Sequence, residues 1–103
     1  MLNVGVIGYG YWGPNVARNF KNCRDVNLMA ISDLNENRLK LAQQHYPYLK
    51  VVSDPMELIQ SDDVQAVAIV TPVFTHYELA KAALEKGKHI FVEKPFTSSV
   101  REA

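Results

Sequence analysis

Short apolar runs rich in valine, isoleucine and alanine alternate along the chain with stretches whose apolar residues recur at helical spacing. The runs at 2–7, 26–32, 49–52, 66–70 and 89–92 predict five strands. They are largely apolar instead of strictly alternating, which is the pattern of strands buried on both faces of a parallel sheet. After Gly13, a helix would carry Val16, Ala17 and Phe20 on one face, with Asn15, Arg18, Asn19 and Lys21 facing away. A second helix is expected to bury Leu39, Ala42 and Tyr46. Asp54 followed by Pro55 reads as an N-cap and a first helical residue whose missing amide costs nothing. Thr75 and Glu78 read as a capping box, opening a helix that buries Tyr77, Ala80, Ala83 and Leu84 and ends at Gly87. Ser99 and Glu102 form a similar pair, so another helix is expected to begin just before Ala103.

Composition narrows the partners. A chain of 103 residues bounds the answer to one domain, and 48% hydrophobic content is enough for a real core. Eleven basic and eleven acidic residues leave a formal charge of zero, so no long-range field attracts nucleic acid or an anionic membrane. The first residues carry no basic targeting region, and no apolar run approaches the roughly 18 residues of a membrane span. The one cysteine, Cys23, allows no internal disulfide, no CxxC pair and no cysteine metal site, and a reducing cytoplasmic setting is expected. With no activating partner nearby in sequence, Cys23 reads as a plain thiol and not as a nucleophile. His45 and His89 read as structural.

The candidate chemistry begins at Gly8-Tyr9-Gly10-Tyr11-Trp12-Gly13, a GxGxxG placed directly after the first strand and opening the first helix. Gly8 permits the tight turn, Gly10 lets the backbone approach a pyrophosphate, and Gly13 allows helix and strand to pack closely. The helix N-terminus offers unpaired amides to the phosphates. Asp33 closes the second strand twenty residues beyond Gly13, where a dinucleotide fold places the carboxylate that accepts the adenosine ribose hydroxyls. A carboxylate there repels a 2′-phosphate, and Leu34-Asn35-Glu36-Asn37 supply no cation, so NAD is expected over NADP. Asp33 could also cap the following helix, a role that does not exclude the first. Glycine loop, acid and alternating elements together predict an α/β, Rossmann-type doubly wound parallel sheet. The same loop and acid also fit a methyltransferase using S-adenosylmethionine, which leaves the remaining cluster unexplained.

That cluster is Thr71-Pro72-Val73-Phe74-Thr75-His76 and Glu93-Lys94-Pro95, two loops at the carboxyl ends of the fourth and fifth strands. With Glu-Lys-Pro as its hallmark, the whole chain resembles the two-domain oxidoreductases named for glucose-fructose oxidoreductase, inositol dehydrogenase and a rhizopine-catabolism protein. The opening Gly-Tyr-Gly-Tyr-Trp-Gly-Pro-Asn, continuing to Arg18-Asn19-Phe20, is most similar to members acting on nucleotide-linked sugars. The resemblance implies an NAD-dependent dehydrogenase acting on a secondary hydroxyl of a sugar, cyclitol or nucleotide-linked sugar. It implies Lys94 beside the nicotinamide ribose and the substrate hydroxyl, assisting proton removal. Glu93 would contact cofactor or orient the lysine, Thr71, Pro72 and His76 would line the nicotinamide side, and Tyr9, Tyr11 and Trp12 belong to the pyrophosphate loop. No metal is implied.

Family members also carry an α+β substrate domain. Residues 1–103 are therefore expected to be a dinucleotide-binding domain truncated after its fifth strand, binding cofactor without turnover and self-associating through an open sheet edge into a homo-oligomer. A non-catalytic dinucleotide sensor or self-associating module is the alternative.

Overall fold

The structure, a computed structural model, describes residues 2–10, 13–71 and 73–92, with the backbone alone at 73–76 and 92. The elements follow one another as β1 (Leu2–Ile7), α1 (Gly13–Lys21), β2 (Val26–Ser32), α2 (Glu36–His45), β3 (Lys50–Val52), α3 (Pro55–Gln60), β4 (Ala66–Ile69), α4 (Val73–Glu85) and β5 (His89–Val92). All strand pairs are parallel, in the order β3-β2-β1-β4-β5. Successive strands step outward from β1 to β3, after which the chain crosses back and steps outward on the other side. This is the Rossmann order, whose reversal between β1 and β4 opens a crevice at the carboxyl ends of the strands.

Two apolar layers hold the sheet. On one face Val6, Leu28, Ile31 and Ala68 meet Val16 and Ala17 of α1 and Ala42 of α2. On the other, Ile7, Ala30, Val67 and Ile69 meet Leu58 and Ile59 of α3 and Ala83 of α4. Neighbouring residues such as Val67 and Ala68 divide between the layers, as strand alternation requires. Burial on both sides explains why the strands read as apolar runs.

Two strand limits differ by one residue from the expectation. Leu49 precedes β3 but is 2% exposed, its amide bonded to the Tyr46 carbonyl in a turn. Val70 follows β4, yet its amide still reaches the Ile7 carbonyl at 2.8 Å.

In α1, Val16 and Ala17 are buried and Phe20 is half-buried, while Arg18, Asn19 and Lys21 are exposed and Asn15 is half-buried. In α2 only Ala42 is fully buried; Leu39 is half-buried, and half-buried Tyr46 is the C-cap beyond the last helical turn. Asp54 caps α3 as expected, accepting from the Met56 amide at 2.9 Å with Pro55 beginning the helix.

The α4 expectation needs two corrections. Its first residue is Val73, so Thr75 lies inside the helix and does not cap it. Ala83 is buried and Ala80 half-buried, but Tyr77 and Leu84 are 51% and 65% exposed. At about 100° per residue the inward stripe runs through Leu79, Ala80 and Ala83. Tyr77 and Leu84 share the outer flank despite their apolar character. The end of α4 is as expected: Gly87 has φ of 75°, its amide donates to Leu84, and Lys88 donates to Ala83, closing a Schellman motif.

Candidate cofactor-binding site

Register brings the loops of the site together. Ile7 stands opposite Ser32 on one side and Ile69 on the other, so Gly8, Asp33 and the Val70-Thr71 turn emerge at one level beside the crevice. The Gly8 amide donates to the Ser32 carbonyl at 2.7 Å, and the Asp33 amide donates to Val52 at 3.2 Å.

Two glycines are required by geometry. Gly8 has φ of 101°, and a Cβ on it would lie 2.8 Å from the Val70 carbonyl oxygen. A Cβ on Gly13 would lie 2.3 Å from the Gly8 carbonyl oxygen, inside contact distance, so the start of α1 can close onto the turn only with glycine there. Gly10 differs. The atoms nearest a Cβ there belong to the Arg38 guanidinium, the closest nitrogen at 3.0 Å, the far end of a flexible side chain and not backbone.

Asp33 is 9% exposed and lies beneath the loop. One carboxylate oxygen accepts the Tyr9 amide at 2.8 Å, and the other accepts the Asn35 amide at 2.8 Å. Asn35, not Asp33, is the N-cap of α2; its side chain accepts from the amides of Asn37 and Arg38. Asp33 is thereby freed from capping and ties the glycine loop to the start of α2. A carboxylate offers about four lone-pair positions, so the two backbone bonds leave acceptor capacity of the kind two vicinal ribose hydroxyls need.

Sequence reading missed Arg38. Its Nη1 lies 3.8 Å from the Asp33 carboxylate, and its side chain is 53% exposed. With the N-cap at Asn35, Arg38 occupies the third helical position and reaches back over Gly10. The absence of a cation at 34–37 was therefore too short a window, because the first helical turn returns the next residue to the carboxylate.

Tyr9 turns its ring inward. It is 1% exposed, and its hydroxyl lies 2.5 Å from Nδ1 of His45 at the far end of α2. Burial, with a smaller contribution from Tyr46, raises the phenol above the ordinary tyrosine range. Tyr9 thus shapes the loop from beneath, leaving the loop backbone to face a ligand. The sequence signal for His45 was its spacing: Arg38, Ala42 and His45 follow one stripe of α2.

The structure gathers Gly8, Tyr9, Gly10, Gly13 and Asp33 into one site, with Thr71 half-buried beside Gly8. Tyr11, Trp12, Pro72, Glu93, Lys94 and Pro95 lie outside the described residues, as do Ser99 and Glu102. His76 is placed in α4 by its backbone, and its side chain lies outside the description. Among the described residues no three His, Cys, Asp or Glu side chains are grouped to hold a metal. No described helix is long and apolar enough to cross a membrane.

Residues 2–103 match the model of an oxidoreductase family with an NAD-binding Rossmann fold, named for glucose-fructose oxidoreductase, inositol dehydrogenase and the rhizopine-catabolism protein. The chain belongs to this family. It is 38% identical over 101 residues to the myo-inositol 2-dehydrogenase of Thermotoga maritima, covering 98% of this chain and 30% of that protein. It is 37% identical over 103 residues to the inositol 2-dehydrogenase of Mycolicibacterium smegmatis, covering 99% of this chain and 30% of that protein. Among solved structures, the scyllo-inositol dehydrogenase of Lactobacillus casei with bound NAD(H) and scyllo-inositol superposes with a TM-score of 0.90. Identity to it is 28%, over 99% of this chain and 30% of that one. The chain spans about 30% of the length of these family members. The NAD-binding domain of this family presents, in this chain, a glycine turn crowded by backbone and a buried carboxylate just past the end of β2.

Proposed function

We propose that this domain binds NAD(H) for an oxidoreductase that removes hydride from a secondary hydroxyl of a cyclitol or sugar. The observation that carries the reading is Asp33, buried beneath the glycine loop with acceptor capacity unused by the described residues. The loop backbone from Gly8 to Gly13 would hold the pyrophosphate, Asp33 the adenosine ribose, and Thr71 the side of the crevice beyond β4. When bound, the nicotinamide supplies the hydride acceptor. Relatives named as inositol dehydrogenases favour a cyclitol, while the Gly-Tyr-Gly-Tyr-Trp-Gly opening supports a nucleotide-linked sugar as the competing substrate.

Lys94, carried over from the family's Glu-Lys-Pro, would hold the substrate hydroxyl and stabilise the negative charge that develops as its proton leaves. In the full-length protein, Lys94→Ala is expected to cut kcat about 100-fold or more while NADH affinity stays within about threefold. Unchanged turnover would remove Lys94 from the reaction. The 103-residue chain is expected to bind NADH without turning over inositols or UDP-sugars, because hydride transfer needs a substrate held against the nicotinamide. Turnover of any of these by the chain alone would overturn that expectation.

The proximity of Arg38 tempers NAD preference. Its guanidinium offsets part of the Asp33 charge that would repel a 2′-phosphate. Arg38→Ala is expected to weaken NADPH more than NADH, and calorimetry with both cofactors measures the change in ratio.

A further inference from the structure

The second helix grips the glycine loop twice. Near its N-terminus Arg38 lies over Gly10 and beside the Asp33 carboxylate. At its last residue His45 meets the Tyr9 hydroxyl, while the Tyr9 amide is bonded to Asp33. Tyr9 is therefore held at both ends: its backbone by the acid at the start of the β2–α2 connection, its phenol by the histidine where α2 ends. The ring between them is packed in the core with Val6, Leu28, Ile31 and Ala42.

We propose that Tyr9 and His45 are a positioning pair for the cofactor, a strut between α2 and the glycine loop that fixes the loop and the Asp33 carboxylate relative to each other. Among the described residues, the phenol–imidazole bond alone supports the ring's buried polar end. Its loss leaves the Tyr9 ring free to shift in the core, and a shift there moves the amide that orients Asp33. The consequence falls on the adenosine end of the dinucleotide, where Asp33 discriminates a ribose hydroxyl from a 2′-phosphate. With His45 carrying its proton on Nε2, the buried phenol donates and Nδ1 accepts. An amide oxygen in place of the imidazole can accept the same hydrogen.

The proposal rests on the NAD-binding reading, and its test keeps the two apart. NADH and NADPH affinities would be measured by calorimetry for the wild-type chain, Tyr9→Phe, His45→Ala, the double variant and His45→Gln. Hydrogen exchange at the Tyr9 amide would be followed without cofactor. Tyr9→Phe and His45→Ala are each expected to weaken NADH about fivefold, the worth of one neutral hydrogen bond. The double variant is expected to lose no more than either alone. The preference for NADH over NADPH should narrow, and Tyr9 amide exchange should accelerate in His45→Ala. His45→Gln should return both readouts toward wild type. Unchanged NADH affinity in Tyr9→Phe and His45→Ala, even with a lowered Tm, would show a purely structural contact and overturn the proposal. So would additive losses. A wild-type chain with no NADH affinity would strike the cofactor reading itself, an outcome distinct from wild-type binding that the variants leave untouched.

Discussion

Asp33 receives amides from two loops and faces a guanidinium, all while nearly buried. Its position one residue past an apolar strand was legible in sequence, and so was its distance from Gly13. Its partners were not. The Tyr9 amide and Arg38 reach it through a turn and a helical return that no linear spacing displays. Tyr9 shows the same limit: a tyrosine between two loop glycines reads as part of the pyrophosphate loop, and packing turned its ring into the core. That burial carries a pH consequence. As pH rises above about 10, the ordinary tyrosine value, the unfolded phenol ionises while the folded one stays neutral, so the unfolded state is favoured. Wild-type stability is expected to fall through that range more steeply than that of Tyr9→Phe. Chemical denaturation across the range measures the difference, and identical slopes would contradict the burial argument.

At the scale of elements, the strands were readable because both faces are buried, and capping chemistry located Asp54 and Gly87. The inward face of α4 was misread because Tyr77 and Leu84 are apolar but lie off the stripe set by Leu79, Ala80 and Ala83. Exposed position and buried position should respond differently to substitution. Leu84→Lys is expected to change stability by no more than about 0.5 kcal/mol, whereas Ala83→Leu overpacks the layer and costs about 1–3 kcal/mol. The turn into α1 is tighter still. A Cβ at Gly13 meets the Gly8 carbonyl, so Gly13→Ala is expected to displace the loop and weaken NADH at least about tenfold, measured by titration, with the strands still formed by circular dichroism.

Across the whole molecule, the parallel order places every carboxyl end of the sheet on one side, and the reversal between β1 and β4 sets the crevice there. This much follows from alternating strands and helices. The identity of the substrate does not, because the described residues build the cofactor side. Beyond the crevice, β5 is the last strand among the described residues, and Phe91 on it is 49% exposed although it touches Phe20 of α1. Asp33 is proposed to select an unphosphorylated adenosine ribose. Calorimetric titration of the wild-type chain and Asp33→Ala with NADH and NADPH tests it directly: the wild type should bind NADH more tightly, and the variant should lose NADH affinity by about 10-fold or more, consistent with charged hydrogen bonds, while retaining more of its NADPH affinity. Tighter NADPH binding by the wild type, with the preference unchanged in Asp33→Ala, would contradict it.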